Sequence, residues 1–140
     1  MDNEKICEGV VECTALVLAE SCSELGGRLT LFGILDELRP GQNGGRFSFV
    51  VYAKFEGCEH ASEGERRARI LVTDEDGEVL DKSAEYYVWL NGEEGPATMV
   101  AAFDLEVPDE SEERLLWIEA ELDEETLAQT AVPLRERYNV

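Results

Sequence analysis

The run RFSFVVYAKFEG at residues 46–57 puts Phe47, Phe49, Val51, Ala53 and Phe55 on every second position. Side chains of an extended chain point alternately to two faces, so this spacing commits the segment to a β-strand with one apolar face. A helix would scatter the same residues around its circumference. Alternation recurs along the whole sequence, and no long segment repeats with the helical period. The chain is therefore expected to be all-β.

Turn signals cut it into short pieces. Strands are expected at 10–20, 28–39, 46–57, 66–72, 78–90, 98–107, 114–122 and 127–137, though the Ala and Leu of the first would also suit a helix. Gly26–Gly27, Pro40–Gly45, Asp76–Gly77 and the DEET of residues 123–126 separate them. In residues 28–39, Leu29 and Leu31 occupy one face and Phe32 and Ile34 the other, so this strand is expected to lie deep. Pro133 has no N–H for a ladder, which marks an edge position or a bulge. About seven to eight antiparallel strands at this spacing predict an immunoglobulin-like β-sandwich. No Cys…Trp…Cys pattern indicates an antibody-type domain. The 140 residues suit one domain, with residues 1–9 read as a flexible N-terminal tail.

Charge excludes several functions. Against 32 acids stand only 12 bases, a formal charge of −20. Direct nucleic-acid binding needs clustered Lys and Arg, and an anionic membrane would repel this surface. A salt-rich cytoplasm, where screening offsets self-repulsion, is a second account of the acidity. No 18-residue apolar window and no basic-then-apolar leader occurs, so a cytoplasmic protein is expected. Cys7, Cys13, Cys22 and Cys58 lack CxxC spacing and have only His60 to join them, a poor zinc set. They read as free thiols in a reducing compartment, with Cys13 a small core residue.

ALVLAESCSELGGRLTLFGILDELR, the DEDGEVL hairpin and RLLWIEAELDEETLAQTAVPL resemble a family of small uncharacterised bacterial β-sandwich proteins, a domain of unknown function. The shared features are an apolar first strand at Ala15–Glu20, a turn at Gly27–Leu29 and a small-Pro-Leu ending at Ala131–Leu134. The resemblance implies the fold. It implies no activity and no catalytic residues.

Three acidic or aromatic stretches compete as sites. In TDEDGEVLD, an EF-hand register with Gly77 at position six puts Val72 at one and Ser83 at twelve. Both should be carboxylates, so the match fails and a tight turn at Asp76–Gly77 is expected instead. A pooled calcium site would need Asp74 and Asp76 to meet Asp109, Glu110 or Asp123 at one end of a sandwich. Between Asp104 and Glu125, Arg114 is the lone base among eleven acids, and Glu119 and Glu121 share a strand face with Trp117. Trp117 is then expected to be at least half exposed, and the face reads first as a solvated one whose Trp117 covers a neighbouring strand and second as an anchor for a basic partner. In EYYVWL, Tyr86, Val88 and Leu90 form one face and Glu85, Tyr87 and Trp89 the other. That second face reads first as buried packing and second as an aromatic patch.

Catalysis has little to stand on. No G-x-S-x-G elbow occurs, and Cys58 and His60 lie among acids that oppose a thiolate. GQNGG lacks the strand–helix context of a phosphate loop. The reading is a non-enzymatic protein-binding module with no cofactor and no metal. Trp117, Glu119, Glu121, Tyr87 and Trp89 are its candidate contacts, and its partner is a protein, basic in character. The alternative is an acidic nucleic-acid mimic that inhibits a basic protein, and the third reading is a Ca²⁺-dependent binding domain.

Overall fold

Alternation becomes strand pairing in the computed structural model, which describes residues 11–38, 46–57, 64–90, 96–106 and 114–134. Nine strands form among them: β1 (Val11–Leu25), β2 (Arg28–Ile34), β3 (Arg46–Gly57), β4 (Gly64–Thr73), β5 (Val79–Lys82), β6 (Tyr86–Leu90), β7 (Ala97–Glu106), β8 (Arg114–Leu122) and β9 (Glu125–Leu134). All pair antiparallel. Sheet A runs β2-β1-β3-β7 and sheet B runs β5-β4-β8-β9, with β6 also on β4. With the β2 arm set aside, three strands of sheet A face the five of sheet B, with β5 and β6 in succession along the same side of β4, an immunoglobulin-like sandwich. No helix among the described residues is long and apolar enough to cross a membrane.

The core lies between the sheets, where the alternating residues of each inner face meet. Phe47, Phe49, Val51, Ala53 and Phe55 of β3 are all buried, as are Ile70 and Val72 of β4 and Leu116, Ile118 and Ala120 of β8. Phe49 and Phe103 are cross-strand partners. Their rings stack at 5.5 Å and 22°, worth about 0.5–1.5 kcal/mol beyond the area they bury. Cys13 packs partly buried against this cluster, and its thiol donates to the Ala15 carbonyl at 3.2 Å. Burial pushes that thiol up from its ordinary value, against the smaller opposing effect of backbone hydrogen bonds.

Four expectations need correction. The strand expected at 78–90 is two, because Arg69 and Ile70 of β4 face the three residues Ser83–Glu85 between the Leu71–Lys82 and Ala68–Tyr86 pairs. Ser83 fills the break: Ile70 N–H donates to its Oγ at 2.9 Å, and Ser83 N–H donates to Ile70 O at 2.8 Å. The first strand runs on to Leu25, past its expected end at residue 20. β2 does not lie deep; among the described residues it is an edge strand paired with β1 alone, and Phe32 and Ile34 are 50% and 59% exposed. β1 pairs β3 up to Ala19 and β2 from Ala19 onward. Its second half therefore pairs with β2 alone among the described residues, a two-stranded arm whose residues 23–30 are all exposed.

The last correction concerns Asp76–Gly77. Thr73 pairs with Val79, so the loop is 74–78, and only Gly77 has positive φ (83°). The Asp74 carboxylate organises it by accepting from the N–H groups of Asp76 and Glu78, each at 2.9 Å. Such an Asx cap replaces the glycine-rich geometry of a two-residue turn. The edge placement of Pro133 on β9 holds, and its carbonyl accepts from Leu38 N–H at 2.9 Å. The tail at 1–9, Cys7, Cys58, His60, Asp109 and Glu110 lie outside the described residues.

Candidate functional site

β4 lies between β6 and β8, and its register decides which side chains become neighbours on the outer face of sheet B. Glu65 lies beside Trp89 and Arg67 beside Tyr87; on the opposite edge, Arg69 lies beside Glu121, Leu71 beside Glu119 and Thr73 beside Trp117. All five candidate contacts thus share one face of one sheet. Their surroundings divide them into two groups.

The β8 group is engaged with its neighbours. Glu121, expected as an exposed acid, is buried at 8% exposure. Arg69 Nε donates to its Oε1 at 2.7 Å. That hydrogen bond is the main reason the Arg69 guanidinium is held above its ordinary value, with the charges of Glu121, Glu85 and Glu124 adding to it against some desolvation. Glu119 accepts from Thr73 Oγ1 at 3.2 Å and from Thr126 Oγ1 at 3.3 Å. Trp117 is partly buried rather than half exposed. Its strand is interior to the sheet, with Thr73 on one side and the small Ala131 on the other. Neighbours on both sides cover a side chain that alternation alone would leave in water.

The β6 group is open. Tyr87 and Trp89 are 63% and 60% exposed, while Val88 and Leu90 turn inward and are buried. The expectation of buried packing for Tyr87 and Trp89 is therefore corrected. Among the described residues β6 pairs with β4 alone, so there its outer side chains have a strand neighbour on one side. Its sequence YYVWL carries no charge, and among the described residues no strand pairs with its outer edge, a backbone row of the kind that proteins usually protect with charges.

Beside this patch stands the β8–β9 turn. Leu122 pairs with Glu125, leaving a two-residue turn in which Asp123 and Glu124 have φ of 50° and 70°. Left-handed backbone costs an L-residue about 1–2 kcal/mol, so something must hold it. Asp123 N–H donates to Arg67 O at 2.8 Å, and Arg67 N–H donates to Asp123 Oδ1 at 3.1 Å. Arg66 Nη1 adds a 3.1 Å ion pair to Oδ2, and Arg67 reaches Glu124 at 3.8 Å. The sequence pointed to Asp123 only as a calcium ligand, and to Arg66, Arg67 and Glu124 not at all. The available signal was a DE pair at a position requiring positive φ, where Asn-Gly is the usual choice.

A pooled calcium site through Asp123 is ruled out by distance. Asp123 bonds Arg67, whereas Asp74 follows Thr73, roughly 20 Å further along an extended strand at about 3.3 Å per residue. Asp74 already caps its own loop. Among the described residues no group of three His, Cys, Asp or Glu could hold a metal ion. An open cleft of about 260 Å³ lies where β1 meets β9, lined by Leu16, Leu18, Ile34, Leu35 and Val132 with Asp36 the one ionisable group. It has no convergent polar set for catalysis.

No protein-family model matches the sequence, and no curated protein matches it. Solved structures share its outline. A β-glucuronidase from glycoside hydrolase family 2 is 14% identical with a TM-score of 0.49, over 69% of this chain and 11% of that one. The alkylpurine DNA glycosylase AlkC of Pseudomonas fluorescens, bound to DNA containing an abasic site analog, is 10% identical with a TM-score of 0.48, over 89% and 30%. A glycosyl hydrolase family 2 member from Bacteroides cellulosilyticus is 12% identical with a TM-score of 0.47, over 76% and 16%. The chain spans between about a tenth and a third of these proteins, and likeness at this level carries no argument about activity.

Proposed function

We propose that this chain is a non-enzymatic protein-binding module whose contact surface is the β6 side of sheet B. One observation supports this above the rest. In a chain of charge −20, an uncharged edge strand presents Tyr87 and Trp89 more than half exposed. Aromatic side chains supply large contact area at low entropic cost and dominate interface energetics. The unpaired edge of β6 suits an extended segment that adds a strand, with backbone hydrogen bonds for affinity and the aromatics for selectivity. Glu65 beside Trp89 and Glu85 next to Tyr86 are the acids at the patch, while Asp123 and Glu124 are paired with Arg66 and Arg67, and in this reading the partner segment is apolar with basic character. The strained turn fits this reading, since backbone strain concentrates at functional positions.

The nucleic-acid-mimic reading draws less support, because it needs free, regularly spaced carboxylates. On β8 Glu121 is ion-paired and Glu119 is hydrogen-bonded by two threonines. A non-enzymatic role accords with the Cys13 thiol, which burial moves away from the reactive thiolate. Cys13 and Cys22 are free, which accords with a reducing compartment.

The test is affinity capture from the native cell, with wild-type protein and the double variant Tyr87→Ser/Trp89→Ser as parallel baits. Both sites are exposed, so the variant should melt with the wild type. A basic chain retained by wild type and lost by the variant is the expected result. An identical captured set would remove β6 as the contact surface.

A further inference from the structure

The outer face of sheet A is built unlike that of a domain with one wetted sheet surface. Outward positions on such a sheet are normally polar. Here the register aligns Ile34, Ala19, Val50 and Ala102 in one row across all four strands, and Val17, Tyr52 and Val100 in the next. No charge interrupts either row. Ile34 is 59% exposed and Ala102 is exposed, Val17, Val50, Tyr52 and Val100 are partly exposed, and Ala19 between Ile34 and Val50 is buried. Phe32, 50% exposed, extends the surface onto the arm. With 32 acids in the chain, an acid-free strip crossing four strands calls for a covering partner.

The charges at its two ends say which partner fits. Beyond one row lie Lys54 and Glu56, 3.7 Å apart. Beyond the other lie Arg46 and Asp104, joined at 2.9 Å, with Glu106 at 3.7 Å from Arg46. Both ends carry both signs, and their spacing is symmetric about Val51 on β3. Arg46 and Glu56 are equally far from that residue. So are Lys54 and Ser48, and Ser48 is the cross-strand partner of Asp104.

We infer that two copies of this chain pack face to face through sheet A, about a two-fold axis that crosses β3 at the level of Val51. The axis reverses strand direction between the copies and lays the Val50 row of one on the Tyr52 row of the other. It brings Arg46 of one copy to Glu56 of the other, and Lys54 of one to Asp104 of the other, twice over. An isologous interface requires such self-complementarity. Sheets packed face to face stay within about 30° of parallel, which keeps the end charges within reach. The plane shared by β1, β3 and β7, three strands about 4.8 Å apart and about 33 Å long, gives roughly 475 Å² per copy with Ile34 and Phe32 of β2 at its margin. That is the size of a weak interface, below the roughly 800 Å² per partner of a standard one. Two chains of charge −20 repel, and the apolar rows add no acid between the end groups Glu56, Asp104 and Glu106, so salt that screens the net repulsion strengthens the pairing.

Sedimentation equilibrium from 1 to 100 µM protein in 0.05 and 0.5 M NaCl tests this. The wild type is expected to dimerise, more tightly at the higher salt. Val50→Lys, an outward position whose change leaves the monomer core intact, should weaken the dimer at least a hundredfold, since an unpaired charge at a closed apolar interface is costly. Arg46→Glu and Glu56→Arg should each weaken it at least tenfold, and the double swap should restore it. A wild type monomeric at 100 µM in both salts overturns the inference. So does a dimer that Val50→Lys leaves intact, or an assembly that grows beyond two. Loss in both single charge variants without rescue in the double swap rejects the two-fold arrangement. The β6 surface is on the other sheet, so the outcomes of the two experiments are independent.

Discussion

Replacing Arg69 with Met isolates the most consequential contact on the outer face of sheet B. Glu121 is 8% exposed and receives a 2.7 Å charged hydrogen bond from Arg69 Nε. Removing the donor leaves a carboxylate with little access to water. Breaking a fully buried pair costs about 3–5 kcal/mol, and a hydrogen bond to a charged group is worth about 1.5–3 kcal/mol. The Arg69 side chain is 28% exposed, which places this pair toward the lower range, at about 2 kcal/mol. For a domain of this size the midpoint should fall by roughly 6–8 °C. Arg69→Met/Glu121→Leu should return to within about 1 kcal/mol of wild type, because the buried charge goes with its partner. Arg28→Met in the exposed arm controls for the lost positive charge. Urea melts at pH 7 supply all four values. A cost below about 0.5 kcal/mol for Arg69→Met, or a double variant no better than the single, would show that Glu121 is hydrated and the argument mistaken.

Glu124→Gly should stabilise the fold by about 0.5 kcal/mol, since relief of left-handed strain exceeds the entropy of glycine and the loss of an exposed 3.8 Å ion pair; a destabilised variant in the same melt would contradict this. Stability should rise between 0.01 and 0.5 M NaCl at pH 7, because most of the 32 acids have other acids as neighbours and screening reduces their repulsion; a flat midpoint would count against it. The Asp104 carboxyl should titrate below its ordinary 3.8, chiefly because Arg46 hydrogen-bonds to it, with the Arg46 charge and Ser48 assisting against some desolvation. A depressed folded value contributes stability that is present above the ordinary one and lost as the pH falls through the lower one. Carboxyl NMR should see the shift vanish in Arg46→Ala, and an unchanged titration there would assign it to another cause.

What the sequence determined by itself is the strand and its two faces. Period two is a property of one segment, so Phe47 through Phe55 and Leu116 through Leu122 could be assigned to the core without knowing what they touch. The two-residue turn at Gly26–Gly27, with φ of 61° and 76°, was legible for the same local reason. Sheet order is another matter, because it joins residues far apart in the chain. Leu29, Leu31, Phe32 and Ile34 have the composition of a deep strand, yet β2 borders the sandwich because only β1 pairs with it. Glu121 looked like a free surface acid until β4 set Arg69 beside it, 52 positions earlier in sequence. Tyr87 and Trp117 differ little in local pattern, but one lies on an edge strand and the other between two neighbours. The apolar rows of sheet A exist only once four strands are in register, since no single strand carries more than two of their members. Exposure is decided by what stands beside and above a side chain, and only the tertiary structure supplies those neighbours.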